Sequence, residues 1–197
     1  MPKIVNHEQR RNQIAEAAWR VILKHGMEGV TVRKVAEEAG LSLGALRYYF
    51  SNQEGLLRYA INLVKDRVAE RIKQIISRDL PPKQKMLNVL LEIVPTNQQT
   101  RAEMEVWFTF ISYARHHRHL LEEEGDGILQ AIQLMFGYLQ KKGLLRKGLD
   151  IELETEKLYA IVDGLALHAM LEPKRVTEKQ AAKVISSHLE NILGESE

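Results

Sequence analysis

Apolar residues return every three or four positions along almost the whole chain, a period that suits helices and leaves little room for strands. Ile14, Ala17, Ala18, Val21 and Ile22 form one such stripe within a segment running from about His7 to His25, which predicts an amphipathic helix. Val32, Val35, Ala36 and Ala39 repeat the spacing in a short second helix that Thr31 can cap and Gly40 stops. Ser42 can cap a third, from Leu43 to Tyr49. Further helical segments run over about Gln53–Arg78, from Pro82 towards Pro95, and over Gln98–His117, Gly127–Lys142, Glu152–Leu171 and Thr177–Leu193. Prolines at 81, 95 and 173 separate several of them. The reading is all-α, about nine helices, and 12 Gly and 5 Pro in 197 residues leave few points at which to break them.

A chain of this length can bury a real core, as one large domain or two smaller ones. Cysteine is absent, which excludes disulfide frameworks, thiol nucleophiles and cysteine-held zinc and fits a reducing compartment. No apolar run approaches 18 residues and the first eight residues lack the apolar centre of a secretory signal, so a cytoplasmic protein with no membrane segment is expected. The net charge is only +2, but residues 1–55 hold 8 Lys/Arg against 6 Asp/Glu and residues 56–197 hold 20 against 20. The whole excess sits in the first quarter, which points to an anionic partner there.

That same quarter contains the most informative spacing. Ala36 is small enough for two helices to meet closely, Gly40 follows where the chain must turn, and Leu46 can seal the second helix onto the first. This is the pattern of a helix-turn-helix, whose second helix enters the DNA major groove. An ordinary helical hairpin shares the spacing, but the residues left on the surface favour DNA. Ser42, Gly44 and Ala45 let the backbone approach closely, and the helix start offers free N–H groups to phosphate. Arg47 can bond a guanine edge or a phosphate, and Tyr48 and Tyr49 present rings and hydroxyls to sugar, thymine methyl and phosphate.

Residues 1–57 resemble the DNA-binding domain of TetR-family transcriptional regulators. The likeness runs from the Ile14–Ile22 helix through Thr31-Val32-Arg33, Ala36 to Ser42, Leu46-Arg47-Tyr48-Tyr49-Phe50 and Glu54-Gly55-Leu56-Leu57. Glu105-Val106-Trp107-Phe108 and Val162 to Leu167 resemble the C-terminal domain of the betaine-regulator branch. The resemblance implies a helix-turn-helix domain at 1–52 and a helical ligand-binding and dimerisation domain at 53–197. It implies a homodimeric repressor that leaves a palindromic operator when a small-molecule effector binds, with no cofactor and no catalysis. Thr31, Arg33, Ser42, Leu43, Gly44, Ala45, Arg47, Tyr48, Tyr49 and Gln53 are then the DNA-binding set. Arg47 stands where relatives more often have Tyr, and Gln53 where they usually have a phosphate-contacting Lys, so Arg10, Arg11, Arg33 and Lys34 are expected to carry more of the affinity.

In the rest of the chain, Val106 to Ala114 carries no charge on any face, which marks a central, buried helix. Trp107, Phe108, Phe110, Ile111 and Tyr113 are the candidate ligand-binding residues, with packed core as the plain alternative. Leu158, Ile161, Val162, Leu165 and Ala169, with Val184, Ile185, His188 and Ile192 of the last helix, are the candidate dimer interface. Two such hairpins would form a four-helix bundle, with Ala160 and Gly164 allowing close approach. His116 and His119 share a helical face, but Arg115 and Arg118 crowd them with charge, so no metal site is expected. Glu122-Glu123-Glu124 reads as a solvated face. The competing reading, a small helical enzyme using His116, His117 or Asp163 as acid or base, has no phosphate loop, nucleophile elbow or metal spacing behind it.

Overall fold

The computed structural model describes residues 7–26, 29–117 and 127–194. Nine helices account for most of them: α1 (His7–His25), α2 (Val32–Glu38), α3 (Leu43–Tyr49), α4 (Gln53–Ile76), α5 (Pro82–Leu91), α6 (Gln98–Ala114), α7 (Gly127–Lys141), α8 (Ile151–Leu171) and α9 (Glu178–Ile192). Among the described residues there is no strand, only an isolated antiparallel bridge between Leu145 and Leu193. The fold is the expected all-α one. Three helices, α4, α5 and α6, end earlier than their apolar periods suggest, and in α4 and α6 the last carbonyls find other donors. The Ser77 hydroxyl and the Lys85 ammonium donate to the carbonyls of Gln74 and Ile76 at 2.9 Å each, which closes α4. At the end of α6, the amides of His116 and His117 donate to Tyr113 and Ala114, three residues back, and tighten the turn.

The chain forms two compact units, Met1–Ala69 with Ala102–Glu123, and Glu70–Arg101 with Glu124–Glu197. In the first, Ile14, Ala17, Ala18, Val21 and Ile22 of α1 are buried with Val35, Ala36, Leu46, Phe50, Leu56, Ala60, Ile61, Val106 and Phe110. The Trp19 indole donates to the Ala60 carbonyl at 2.9 Å, so its polar end is satisfied where its ring packs. Arg67 lies 4.7 Å over that ring and pairs with Glu16. Arg20 and Lys24 clamp Glu38 of α2 at 2.7 and 3.0 Å, and their hydrogen bonds, Arg20 first, hold its carboxyl below the usual carboxylate range.

In the second unit, α9 packs on α5 and α8, and α7 packs on α8. Its core joins Met86, Leu90, Ile132, Phe136, Leu139, Leu158, Val162, Ala169, Ile185, Leu189 and Ile192. Lys83 of α5 reaches Glu190 of α9 at 2.7 Å.

Candidate nucleic-acid interface and cavity

The turn between α2 and α3 is built by the chemistry its residues impose. Gly40 has φ +65°, a backbone conformation costly for residues with a Cβ. Its amide donates to the Glu37 carbonyl at 3.1 Å and that of Leu41 donates to Ala36 at 2.9 Å. This paired arrangement closes a helix and reverses the chain within two residues. The Thr31 hydroxyl accepts from the Lys34 amide at 3.2 Å and the Ser42 hydroxyl accepts from the Ala45 amide at 3.1 Å. Both short helices are therefore capped at their starts. Leu46, wholly buried, anchors α3 from below.

Most of the residues expected to meet DNA lie at the surface. Thr31, Arg33, Ser42, Leu43, Gly44, Arg47 and Tyr48 are exposed, while Ala45, Tyr49 and Gln53 are half-buried. Tyr48 keeps 74% of its surface open. Of the arginines expected to add affinity, Arg11 is held by other elements of the fold, whereas Arg10 and Arg33 make exposed contacts within their own helices, Arg10 with Gln13 at 3.0 Å. Arg33 pairs with Glu37 at 3.3 Å. Arg11 lies over two rings, 5.0 Å from Phe50 and 4.3 Å from Tyr59, whose faces attract its cation, while its Nε is buried with no hydrogen-bond partner among the described residues.

Three residues of α1 that the sequence reading passed over meet this same corner. His7 packs against Tyr48 and Tyr49, and Asn12 accepts from the Tyr59 hydroxyl at 2.6 Å. Trp19 anchors the corner's other side through Ala60. Nothing local announces these pairings, because some forty residues separate the partners.

A cavity of about 700 Å³ opens in the same compact unit, lined by His25, Gly26, Phe108, Thr109, Ser112, Tyr113, His116 and His117. Of the five candidate ligand residues it brings together Phe108 and Tyr113. Phe110 is buried in the core, and Trp107 and Ile111 pack against that core. Trp107 has Lys65 over its face at 5.6 Å. The His117 ring stacks on Tyr113 at 4.1 Å and its Nδ1 donates to the Tyr113 carbonyl at 3.0 Å.

The candidate dimer stripe divides. Leu158, Val162, Ala169, Ile185 and Ile192 are buried inside the single chain, whereas Ile161, Leu165, Val184 and His188 are half-buried. On α8 the residues opposite the core, Leu153, Ala160, Leu167 and Leu171, are exposed. The His188 imidazole is pushed down in pKa by burial, against the pull of the Glu154 carboxylate 3.6 Å away.

Among the described residues no three His, Asp or Glu side chains gather as metal ligands; His119, Arg118 and the Glu122–Glu124 run lie outside those residues. His116 and His117 belong to one compact unit and Asp163 to the other. No helix among the described residues is long and apolar enough to cross a membrane.

Comparison with known proteins gives these observations a family. Residues 14–60 match bacterial regulatory proteins of the tetR family, and residues 82–194 match the C-terminal domain of BetI-type transcriptional repressors. The chain is 54% identical over 192 residues to the HTH-type transcriptional regulator PksA of Bacillus subtilis (strain 168), covering 98% of this chain and 94% of that protein. It is 25% identical over 199 residues to the regulator BetI of Vibrio vulnificus (strain YJ016), covering 98% and 97%. A transcriptional regulator from Rhodococcus sp. Rha1 shares the fold with a TM-score of 0.78 at 24% identity, covering 92% of this chain and 95% of its own. A regulator from Saccharomonospora viridis in complex with choline does so at 0.76 and 22%, covering 95% and 100%. With a capped helix-turn-helix at its start and a repressor-type domain matched over most of the remaining residues, the chain is a transcriptional regulator rather than an enzyme and belongs to the TetR family.

Proposed function

We propose that this regulator acts as a homodimeric repressor, binding a palindromic DNA operator through α2, α3 and the first turn of α4, and leaving it when a small molecule binds. The observation that carries the reading is the exposed face of α3, where Ser42, Leu43, Gly44, Arg47 and Tyr48 stand clear of the core on a helix locked by Leu46 and the Gly40 turn. Thr31 and Ser42 offer phosphate contacts at capped helix starts, and Arg33, Ala45, Tyr49 and Gln53 border that face. The functional boundary is proposed at 52/53, with residues 53–197 serving dimerisation and supplying most of the proposed effector site, to which His25 and Gly26 of the first segment also contribute.

Dimerisation uses Ile161, Leu165, Val184 and His188, extended by the exposed Leu167 and Leu171. A Cβ built on Gly164 meets nothing within 4 Å, which leaves room for a partner's backbone there. A twofold axis would set the two recognition helices about one DNA turn apart, roughly 34–36 Å. The cavity beside Phe108 and Tyr113 is the proposed effector site. Phe108 and Tyr113 line this cavity and Tyr113 is stacked on His117, which falls short of the several convergent rings that capture a quaternary ammonium, so choline, held by the Saccharomonospora viridis relative, is expected to bind this chain weakly.

Selection of bound sequences from a random duplex pool, with and without a metabolite extract, tests the reading. Enrichment of one palindrome, lost when extract is added, is expected. Induction also demands reciprocity: an effector that lowers operator affinity about 100-fold supplies about 2.7 kcal/mol of coupling, and saturating operator must weaken effector binding by the same factor. Equal effector affinities with and without operator would leave a constitutive DNA binder.

A further inference from the structure

The block Tyr48-Tyr49-Phe50 ends the helix proposed to read DNA, and α1 meets each of its residues. His7 and Tyr48 have ring centroids 5.7 Å apart at 68°, His7 and Tyr49 4.7 Å at 44°, and Tyr48 and Tyr49 5.2 Å at 88°. The three rings form a closed triangle in which every pair is in contact, in edge-on and tilted geometries that aromatic quadrupoles favour. One turn further along α1, Arg11 covers Phe50 and Tyr59, and the adjacent Asn12 accepts from the Tyr59 hydroxyl. Residues 7 and 11 are four apart, so they share one face of α1. That face grips the end of α3 while leaving Tyr48 largely exposed.

We propose that His7 is a positioning residue for operator recognition, holding Tyr48 and Tyr49 in the orientation in which they meet DNA. The proposal rests on the reading of α3 as the recognition helix. An exposed tyrosine samples several rotamers, and ordering it on binding lowers affinity. A ring triangle that exists before DNA arrives removes part of that loss. The gain appears only where the tyrosines make defined contacts, so it favours the operator over other sequences. A bare positive charge at the same place would instead raise affinity for all duplexes alike and steepen the salt dependence.

The test compares full-length wild type, His7→Ala and His7→Phe by fluorescence anisotropy on the selected operator and on a scrambled duplex, across a salt series and well below each variant's melting temperature. His7→Ala is expected to lose about tenfold on the operator, a loss of the size aromatic pairs contribute, with scrambled-duplex affinity and salt slope unchanged. His7→Phe, which keeps a ring but no ionisable group, is expected to restore most of the operator affinity. Unchanged discrimination in His7→Ala overturns the proposal. So does a flatter salt slope shared by both variants, which would make His7 a phosphate contact. Failure of the wild type to prefer any duplex would sink the DNA-recognition reading itself, a result distinguishable from either.

Discussion

At the scale of single residues, the proposed contacts with DNA turn on Arg47 and Gln53. Arg47 is exposed on α3, and its guanidinium suits a guanine edge, where one good bidentate contact is worth about 1–3 kcal/mol of discrimination. Arg47→Ala is expected to relax preference at particular base positions in a binding-site selection; uniform weakening across all sequences would assign it to phosphate. Gln53 begins α4 and carries no charge. Gln53→Lys is expected to strengthen binding without altering base preference and to steepen log K against log salt by about 0.9 per half-site. An identical slope in the two proteins would show that position 53 does not reach the backbone. Arg11 illustrates what a residue-by-residue reading misses: its charge counted towards DNA in the sequence, whereas the fold sets it over Phe50 and Tyr59.

At the scale of elements, the turn joining α2 to α3 depends on one backbone conformation. A Cβ added at Gly40 would meet nothing within 4 Å, so substitution there costs only the strain of φ +65°. Gly40→Ala is expected to lower stability by about 1–2 kcal/mol, read as a shift of the urea midpoint with unchanged m-value. A neutral result would mean the turn relaxes. The glycine, the small Ala36 and the caps Thr31 and Ser42 were legible in the sequence because each acts on neighbours within a few residues. The ends of α4 and α6 were not, since the Lys85 ammonium that takes the Ile76 carbonyl arrives from the following helix.

At the scale of the whole molecule, burial decides which apolar residues can face a partner. Leu158 is fully buried in the single chain and Leu171 keeps 67% of its surface. Leu158→Ala is therefore expected to cost about 2–5 kcal/mol of stability. If the proposed dimer forms through this face, Leu171→Glu is expected to leave helicity intact while shifting the sedimentation profile towards monomer and making melting less dependent on protein concentration. A Leu171→Glu protein that remains fully dimeric would move the interface elsewhere. His188 adds a pH dependence. Burial lowers its pKa in the folded chain, so the unfolded state takes the proton more readily, and the stability from the neutral imidazole is full above about 6.5. It is lost as pH falls through that value towards the lower folded one. Between pH 7.5 and 5.5, wild type is expected to lose more in melting temperature than His188→Gln; parallel losses would argue against burial as the cause. The sequence by itself determined the all-α class, the order of the helices and the helix-turn-helix, because apolar period, caps and a turn glycine are local physics. Only tertiary structure decided which residues of the α8 stripe turn inward, placed Phe108 and Tyr113 on a cavity while Phe110 went to the core, and brought His7 and Arg11 against the end of α3. Those outcomes depend on contacts between residues far apart in sequence, where close packing rather than periodicity selects the partner.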